Sequence, residues 1–437
     1  LSAGTVQDAQ ATVAAVWRLE SGAVIGALTR LLRDISLAEE FAQDALMAAL
    51  GHWPREGLPD KPGAWLMTTA KHRALDHLRR QSMLAREHEA LAQDLAAVQA
   101  DVQPDFVDAL DAARQDEIGD DLLRLIFTAC HPALAREAQV ALTLRLLGGL
   151  STLEIARAHL LPEATIAQRI VRAKRALKGQ SYDLPVGAAR SERLHAVRAV
   201  IYLIFNEGYA ASSGTDWTRP ALCAEALRLA RVLSALLPDD AEVQGLAALL
   251  EIQSSRLAAR VDAQGQPVLL MDQDRRRWDT LLIRRGLAAL ERAHALAQPL
   301  GEAGPYTLQA AIAACHARAA EAPDTDWPAI VALYDQLLAL APSPVVALNR
   351  AAALSMAPPP LGGPALALRE LETLSSEGAL ADYPWLHSVL GDVLRRLGRH
   401  GEAAAAFERA ASLGGNAQDR ALLARRAHDA RAAARTS

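Results

Sequence analysis

Residues 151–178 read STLEIARAHLLPEATIAQRIVRAKRALK, and the organisation of the whole chain turns on them. Ser151 and Glu154 have the spacing of a capping box, in which the hydroxyl and the carboxylate satisfy free amides at a helix start. A short helix is expected to run to about His159 and to break at Leu160-Leu161-Pro162. A second helix is expected from about Glu163 to Lys178, because Ile166, Ile170, Ala173 and Leu177 share one face at spacings of four, three and four. Thr165, Gln168, Arg172 and Arg175 then face the opposite way. Two helices joined by a tight turn, the second polar and basic outward, make a helix-turn-helix whose second helix suits a major groove. Arg and Gln can each make two hydrogen bonds, to guanine and adenine respectively. Arg169, Lys174 and Lys178 lie at the flanks, where phosphates would be. The alternative is an ordinary amphipathic helix with a solvated charged face.

The surroundings of this stretch are helical too. The chain has 437 residues, 51% of them apolar, enough for two to four domains with sizeable cores. Alanine, leucine and arginine dominate, and apolar residues recur at three- and four-residue spacing along most of the length, so the fold class is all-α. No apolar stretch approaches the roughly 18 residues of a membrane span, and the start lacks the layout of a signal peptide, so a cytoplasmic protein without membrane partners is expected. Cys130, Cys223 and Cys315 are odd in number and far apart, which reads as reduced and structural thiols.

A formal net charge of -5 suits a nucleic-acid binder only if the basic residues are segregated, and they are. Lys71, Arg73, Arg79, Arg80 and Arg86 stand against the single carboxylate Asp76, and Arg169, Arg172, Lys174, Arg175 and Lys178 stand against Glu163. The segment from Glu87 to Asp121 is the reverse, with eleven acids and Arg114 as its only strong base. In the first basic element Leu66, Ala70, Ala74 and Leu78 make a buried stripe, and Trp65, Thr68, His72, Asp76 and Arg79 make the opposite one. An aromatic ring, a hydroxyl, an imidazole and a guanidinium along one edge suit single-stranded DNA, which is held by stacking and backbone charge. The preceding residues 53–63 form a loop broken by proline and glycine, able to pocket an extruded base. The alternative is that Trp65 belongs to the core.

Ala38-Glu39-Glu40-Phe41-Ala42-Gln43-Asp44-Ala45-Leu46, then Trp65-Leu66 through Ala74-Leu75-Asp76-His77-Leu78-Arg79-Arg80, then the capped helix-turn-helix resemble the conserved regions of extracytoplasmic-function sigma factors of the sigma-70 family. Phe127-Thr128-Ala129-Cys130-His131-Pro132-Ala133-Leu134 and the long extension after about residue 183 resemble a subgroup with a tetratricopeptide-like C-terminus. The resemblance implies sigma domain 2 at 1–86, an acidic linker at 87–120, sigma domain 4 at 121–182, a helical connecting domain at 183–280 and tetratricopeptide-like repeats at 281–437. It implies that Glu39, Glu40, Gln43 and Asp44 dock on core RNA polymerase, where exposed acids would face a basic partner. It further implies that Trp65, Thr68, Lys71, His72, Asp76, Arg79 and Arg80 recognise and help open the -10 element of promoter DNA. Thr165, Gln168, Arg169, Arg172, Lys174 and Arg175 would then read the -35 element. Such a protein is not an enzyme and needs no cofactor or metal of its own, since the catalysis belongs to the polymerase.

Cys130-His131 tempts a metal or nucleophile reading, yet neither has a second local ligand, and a packed hinge explains them better. In the extension, Asn206, Glu207, Asp272, Asp274 and Arg275 can be drawn as a ligand or metal site, although interdomain hydrogen bonding or ion pairs within the run explain the same residues. Leu390, Gly391, Leu394, Gly398, Ala403, Phe407 and Ala410 fall in a 34-residue repeat register, with Tyr334, Leu337 and Pro342 in an earlier repeat. Stacked repeats bind peptides or domains, and the sigma part of the same chain is the nearest partner. An extension that regulates in cis through such an intramolecular contact is therefore expected. The rival readings are a helix-turn-helix DNA-binding regulator or scaffold, and an enzyme built around Asn206, Glu207 and the 272–279 cluster.

Overall fold

The computed structural model describes residues 3–92, 114–159, 161–210, 217–301, 303–414 and 416–436. Among them are eighteen α-helices, short 3-10 turns and one isolated β-bridge between Val261 and Pro267. No helix of the described residues is long and apolar enough to cross a membrane. The chain divides into two compact units, residues 1–200 and 201–437.

In the first unit α1 (Ala3–Leu32), α2 (Ile35–Glu56) and α3 (Pro62–Ala92) pack around Ile25, Leu28, Ile35, Ala42, Ala45, Leu66, Ala70 and Ala74. The turn between α1 and α2 is tight: Arg33 adopts φ 49, and the Asp34 carboxylate accepts the amides of Ser36 and Leu37, starting α2. α3 runs well past Gln81, as expected of a segment rich in Ala, Leu, Met, Arg and Glu. The acidic linker expected at 87–120 lies largely outside the described residues. α4 (Arg114–Ala129), α5 (Arg136–Leu146), α6 (Thr152–His159) and α7 (Glu163–Leu177) follow, with Leu125, Leu142, Leu144, Ile155, Ile166 and Leu177 at their core.

α8 (Gly187–Tyr209) begins in the first unit and ends in the second. The second unit continues with α9 (Pro220–Leu236), α10 (Ala241–Ser255), α11 (Thr280–Ala297), α12 (Pro305–Arg318) and α13 (Trp327–Leu340). α14 (Pro344–Met356), α15 (Pro364–Ser376), α16 (Pro384–Arg396), α17 (His400–Leu413) and α18 (Ala417–Thr436) complete it. Six of these helices carry a proline at their first or second position, which suits the first turn because the missing N–H has no partner there anyway. From α13 to α18 each helix packs on the next. In the α16–α17 pair a Cβ on Gly391 would lie 2.6 Å from the Phe407 ring, so glycine is what lets the two helices meet. Phe407 is fully buried there with Leu348, Leu371, Leu386 and Leu423.

Candidate nucleic-acid and polymerase interface

The capping box forms as its spacing requires: the Ser151 amide donates to Glu154 Oε2 at 2.8 Å and the Glu154 amide to Ser151 Oγ at 3.1 Å. Burial pushes the Glu154 carboxyl up, but the Ser151 hydrogen bonds and nearby Arg18 outweigh it and hold the group below its ordinary range. α6 then ends at His159, and Pro162 stands at the start of α7. Ile166, Ile170, Ala173 and Leu177 are buried, while Thr165, Gln168, Arg172 and Arg175 are exposed along the opposite face. This face carries two guanidiniums, an amide and a hydroxyl within three turns, a set of donors and acceptors of the kind base edges and phosphates take. Arg169 is half-buried at its side. Lys174 is different: its side chain is only 18% exposed, and its ammonium is in an ion pair with Glu39 Oε2.

α3 keeps Leu66, Ala70 and Ala74 inside and Thr68, His72, Asp76, Arg79 and Arg80 outside. Asp76 and Arg79 form an exposed pair at 3.4 Å, and Lys71 is half-buried. Trp65 is half-buried, its ring edge-on to that of Trp53 with centroids 5.5 Å apart. The loop before α3 is shorter than the sequence suggested. Trp53, Pro54, Arg55 and Glu56 form the last turn of α2, Trp53 is core, and only residues 57–61 stay non-helical. Pro54, inside the last turn of α2, has no N–H to give to the Leu50 carbonyl.

The acids of α2 divide. Glu40 is exposed, and Asp44, half-exposed, pairs with Arg73 of α3 at 2.9 Å. Glu39, expected as part of an exposed docking edge, is instead buried. Its Oε1 accepts from Gln43 Nε2 and from Arg145 Nε, both at 2.6 Å, and its Oε2 meets the Lys174 ammonium. A buried carboxylate is stable only when paired and hydrogen-bonded, and both cations come from α5 and α7. Thus the expectations that Glu39 faces outward and that Lys174 is free for phosphate do not hold in this arrangement. Arg145, 106 residues from Glu39, carried no signal in the sequence, and Asp121, which counted there only as an acid of the linker, is a buried carboxylate that pairs with Arg30 at 2.9 Å and Arg124 at 3.2 Å.

Cys130-His131 sits in the turn between α4 and α5. His131 Nδ1 accepts the Ala133 amide at 3.1 Å, and Gln139 Nε2 donates to the carbonyls of both Cys130 and His131. Burial pushes the Cys130 and Cys223 thiols up to about 12, and all three cysteines are free. In the second unit Asn206, Glu207, Asp272, Asp274 and Arg275 are not brought to one place. Glu207 pairs with Arg219, Asp274 with Arg276 at 2.9 Å on the surface, and Asp272 and Asn206 are exposed. Arg275 turns inward, donating to the carbonyls of His316 and Ala319 at 2.7 Å each. No cluster of metal-ligating side chains occurs among the described residues.

Comparison with known proteins agrees with this geometry. Residues 17–83 match sigma-70 region 2, residues 124–177 match sigma-70 region 4, and residues 193–294 match a family of unknown function, DUF6596. An uncharacterized protein of Rhizobium meliloti (strain 1021) is 44% identical over 401 residues, covering 91% of each chain. No solved structure is significantly similar. The chain belongs to the sigma-70 family, as an extracytoplasmic-function type of sigma factor with a C-terminal extension. As such it binds RNA polymerase and promoter DNA.

Proposed function

We propose that the chain starts transcription at a restricted set of promoters, with α7 reading the -35 element as duplex and α3 with residues 57–61 recognising and melting the -10 element. Thr165, Gln168, Arg172 and Arg175 are assigned to bases, and Arg169 and Lys178 to phosphates. Lys174 joins them when its ion pair opens. Trp65, Thr68, Lys71, His72, Asp76, Arg79 and Arg80 are assigned to the opened strand, and Glu40, Gln43, Asp44 and, once uncovered, Glu39 to the polymerase. The observation that carries this reading is α7 itself, whose four apolar residues are buried while its four base-reading candidates face out. The extension is assigned the regulation of this activity from within the chain, at an effective concentration on the order of millimolar for a short tether. Its α13–α17 hairpins, with Gly391 against Phe407, fit tetratricopeptide-like packing. The cytoplasm, where the polymerase works, is the place of action.

Run-off transcription with purified core polymerase on promoters from the same genome tests the reading. Discrete new transcripts are expected with the protein. They should fall on the order of 100-fold or more with Arg172→Ala and Arg175→Ala together, since each specific base contact contributes about 1–3 kcal/mol. Both side chains are exposed, so thermal unfolding should not change. Absence of any new transcript, with tight binding to isolated duplex, would replace this reading with that of a DNA-binding regulator.

A further inference from the structure

The promoter and polymerase assignments leave unused a cationic cavity in the first unit. α1 and α4 cross at Gly26, where a Cβ would lie 2.8 Å from the Asp121 carbonyl oxygen. Along this α1–α4 seam lies a cavity of about 260 Å³, walled also by Tyr182 and Asp183 from beyond α7. That volume is several times the ~30 Å³ share of one water and just under the ~300–1,000 Å³ usual for small-molecule sites. The space suits a compact ligand.

Three guanidiniums line it: Arg30 in the last turn of α1, Arg33 just past that helix, and Arg124 in α4. Arg30 and Arg124 share one buried carboxylate oxygen, Asp121 Oδ1, at 2.9 Å and 3.2 Å, so a single negative charge serves two positive ones. Arg33 is exposed, and no carboxylate pairs with it among the described residues. Its backbone has φ 49, the one positive φ at a non-glycine position among the described residues. A residue in this place, its amide bonded to the Thr29 carbonyl at 2.8 Å, is usually glycine or asparagine, because a Cβ makes the left-handed region unfavourable. Backbone strain of this kind points to a use for the side chain. Here the side chain lines the cavity.

The rest of the wall sorts into one donor and several acceptors. The Ile35 amide donates to the Tyr182 hydroxyl oxygen, which leaves the phenol's own proton free to give. The Thr29 and Thr128 hydroxyls donate to the Ile25 and Arg124 carbonyls at 2.7 Å and 2.8 Å, so toward the cavity they can only accept. The Asp183 carboxylate accepts the Ser181 hydroxyl at 2.8 Å and has lone pairs to spare. Cationic donors together with hydroxyl and carboxylate acceptors match a molecule that carries both anionic oxygens and O–H groups.

We propose that this cavity binds a small sugar phosphate, with the phosphate on Arg30, Arg33 and Arg124 and the sugar hydroxyls on Asp183 and the two threonines. Guanidiniums hold phosphate oxygens through charge-assisted hydrogen bonds, and a neutral sugar would leave them unanswered. None of these residues is assigned to promoter DNA or to polymerase, so the proposal and those assignments can fail separately.

The test is calorimetric titration of the full chain with glucose 6-phosphate, and separately with inorganic phosphate, glucose and citrate. One saturable site per chain is expected for glucose 6-phosphate, with inorganic phosphate about tenfold weaker and glucose silent. Arg33→Gly removes the guanidinium and suits the backbone at φ 49. That variant should unfold at the same temperature as the wild type or higher, while its affinity for glucose 6-phosphate falls about tenfold or more. Tyr182→Phe keeps the ring and should weaken binding about threefold. If Arg33 served only to place a positive charge at the end of α1, Arg33→Gly would unfold at lower temperature with affinity unchanged, and that result would overturn the proposal. So would the absence of saturable glucose 6-phosphate binding at millimolar concentration, or glucose or citrate binding as tightly. Should Arg33→Gly not fold, unchanged affinity in Tyr182→Phe overturns the proposal instead.

Discussion

Two buried ionic clusters, one in each unit, are built in opposite ways. In the first unit a single carboxylate, Glu39, is surrounded by cations from helices that belong to another matched region. In the second unit three guanidiniums gather, and among the described residues none is hydrogen-bonded to a carboxylate. Arg260 lies between two rings, 3.7 Å from the Tyr209 centroid and 4.3 Å from that of Trp217, and donates to the Tyr209 carbonyl at 2.9 Å. Arg256 lies over Tyr209 and Trp278, and Arg275 over Trp278. Burial, with a contribution from the charge of Arg256, pushes the Arg260 and Arg275 groups down. An ion pair between domains can be replaced by water or by another protein's charge, so it can release. A guanidinium held by ring faces and backbone carbonyls has no ready substitute. The first cluster is of a kind that can exchange partners, and the second is of a kind that holds its shape.

That contrast breaks most visibly at Arg260. Replacing it by alanine removes two ring contacts and a hydrogen bond to the partly buried Tyr209 carbonyl, at a cost of about 3 kcal/mol. Denaturant unfolding of the full chain, followed by tryptophan fluorescence, reads the change. Arg260→Lys keeps a charge but not the flat stacking surface, and should recover less than half of the loss. A loss below about 1 kcal/mol for alanine would mean that the rings, rather than the guanidinium, hold α8, α9 and the residues after α10 together.

The same cluster should make the second unit sensitive to acid. His316 is buried beside Arg256 and Arg275, and burial first, then their charges, push it down from 6.5 to about 3. The folded chain therefore keeps His316 neutral while the unfolded chain takes up a proton below 6.5. Stability from this group is complete above that value and is lost as pH falls toward 3. Between pH 7 and pH 5 the loss is about 2 kcal/mol. His316→Phe, which retains a ring against Trp327, should shrink the difference in unfolding free energy between these two pH values by that amount. An unchanged difference would assign the acid sensitivity elsewhere.

How much of this could be read beforehand depended on the distance between partners along the chain. The α7 register, the break before it and the capping box follow from residues within one or two turns of each other, and the structure places them as their spacing dictates. The four-residue stripe of α3 is equally local, yet whether Trp65 is free or packed depends on Trp53 in another helix. Glu39 stands beside Glu40 in sequence and nothing local separates them. One is buried and the other exposed because α5 and α7, more than a hundred residues later, supply its cations. The 272–279 run illustrates the same limit: Asp274 pairs with its neighbour Arg276, as acids and bases in one run often do, while Arg275 turns inward to carbonyls 41 and 44 residues away.

The smallest expected effect concerns a contact that belongs to region 4 alone. Ser151→Ala leaves the Arg18–Glu154 pair in place and removes only the hydroxyl that accepts the Glu154 amide. Loss of such a cap costs about 1 kcal/mol, which is about a fivefold loss of amide protection at the start of α6. Hydrogen exchange read by mass spectrometry should find that loss in peptides covering residues 151–156, with the extension unaffected. Because the cap is internal to region 4, the effect should be equal in the free protein and in the promoter complex. If the Ser151→Ala effect spreads across the α1–α4 seam, region 4 is not an independent body. The contrast between an exchangeable ion pair in the first unit and a ring-held guanidinium in the second would then have to be redrawn.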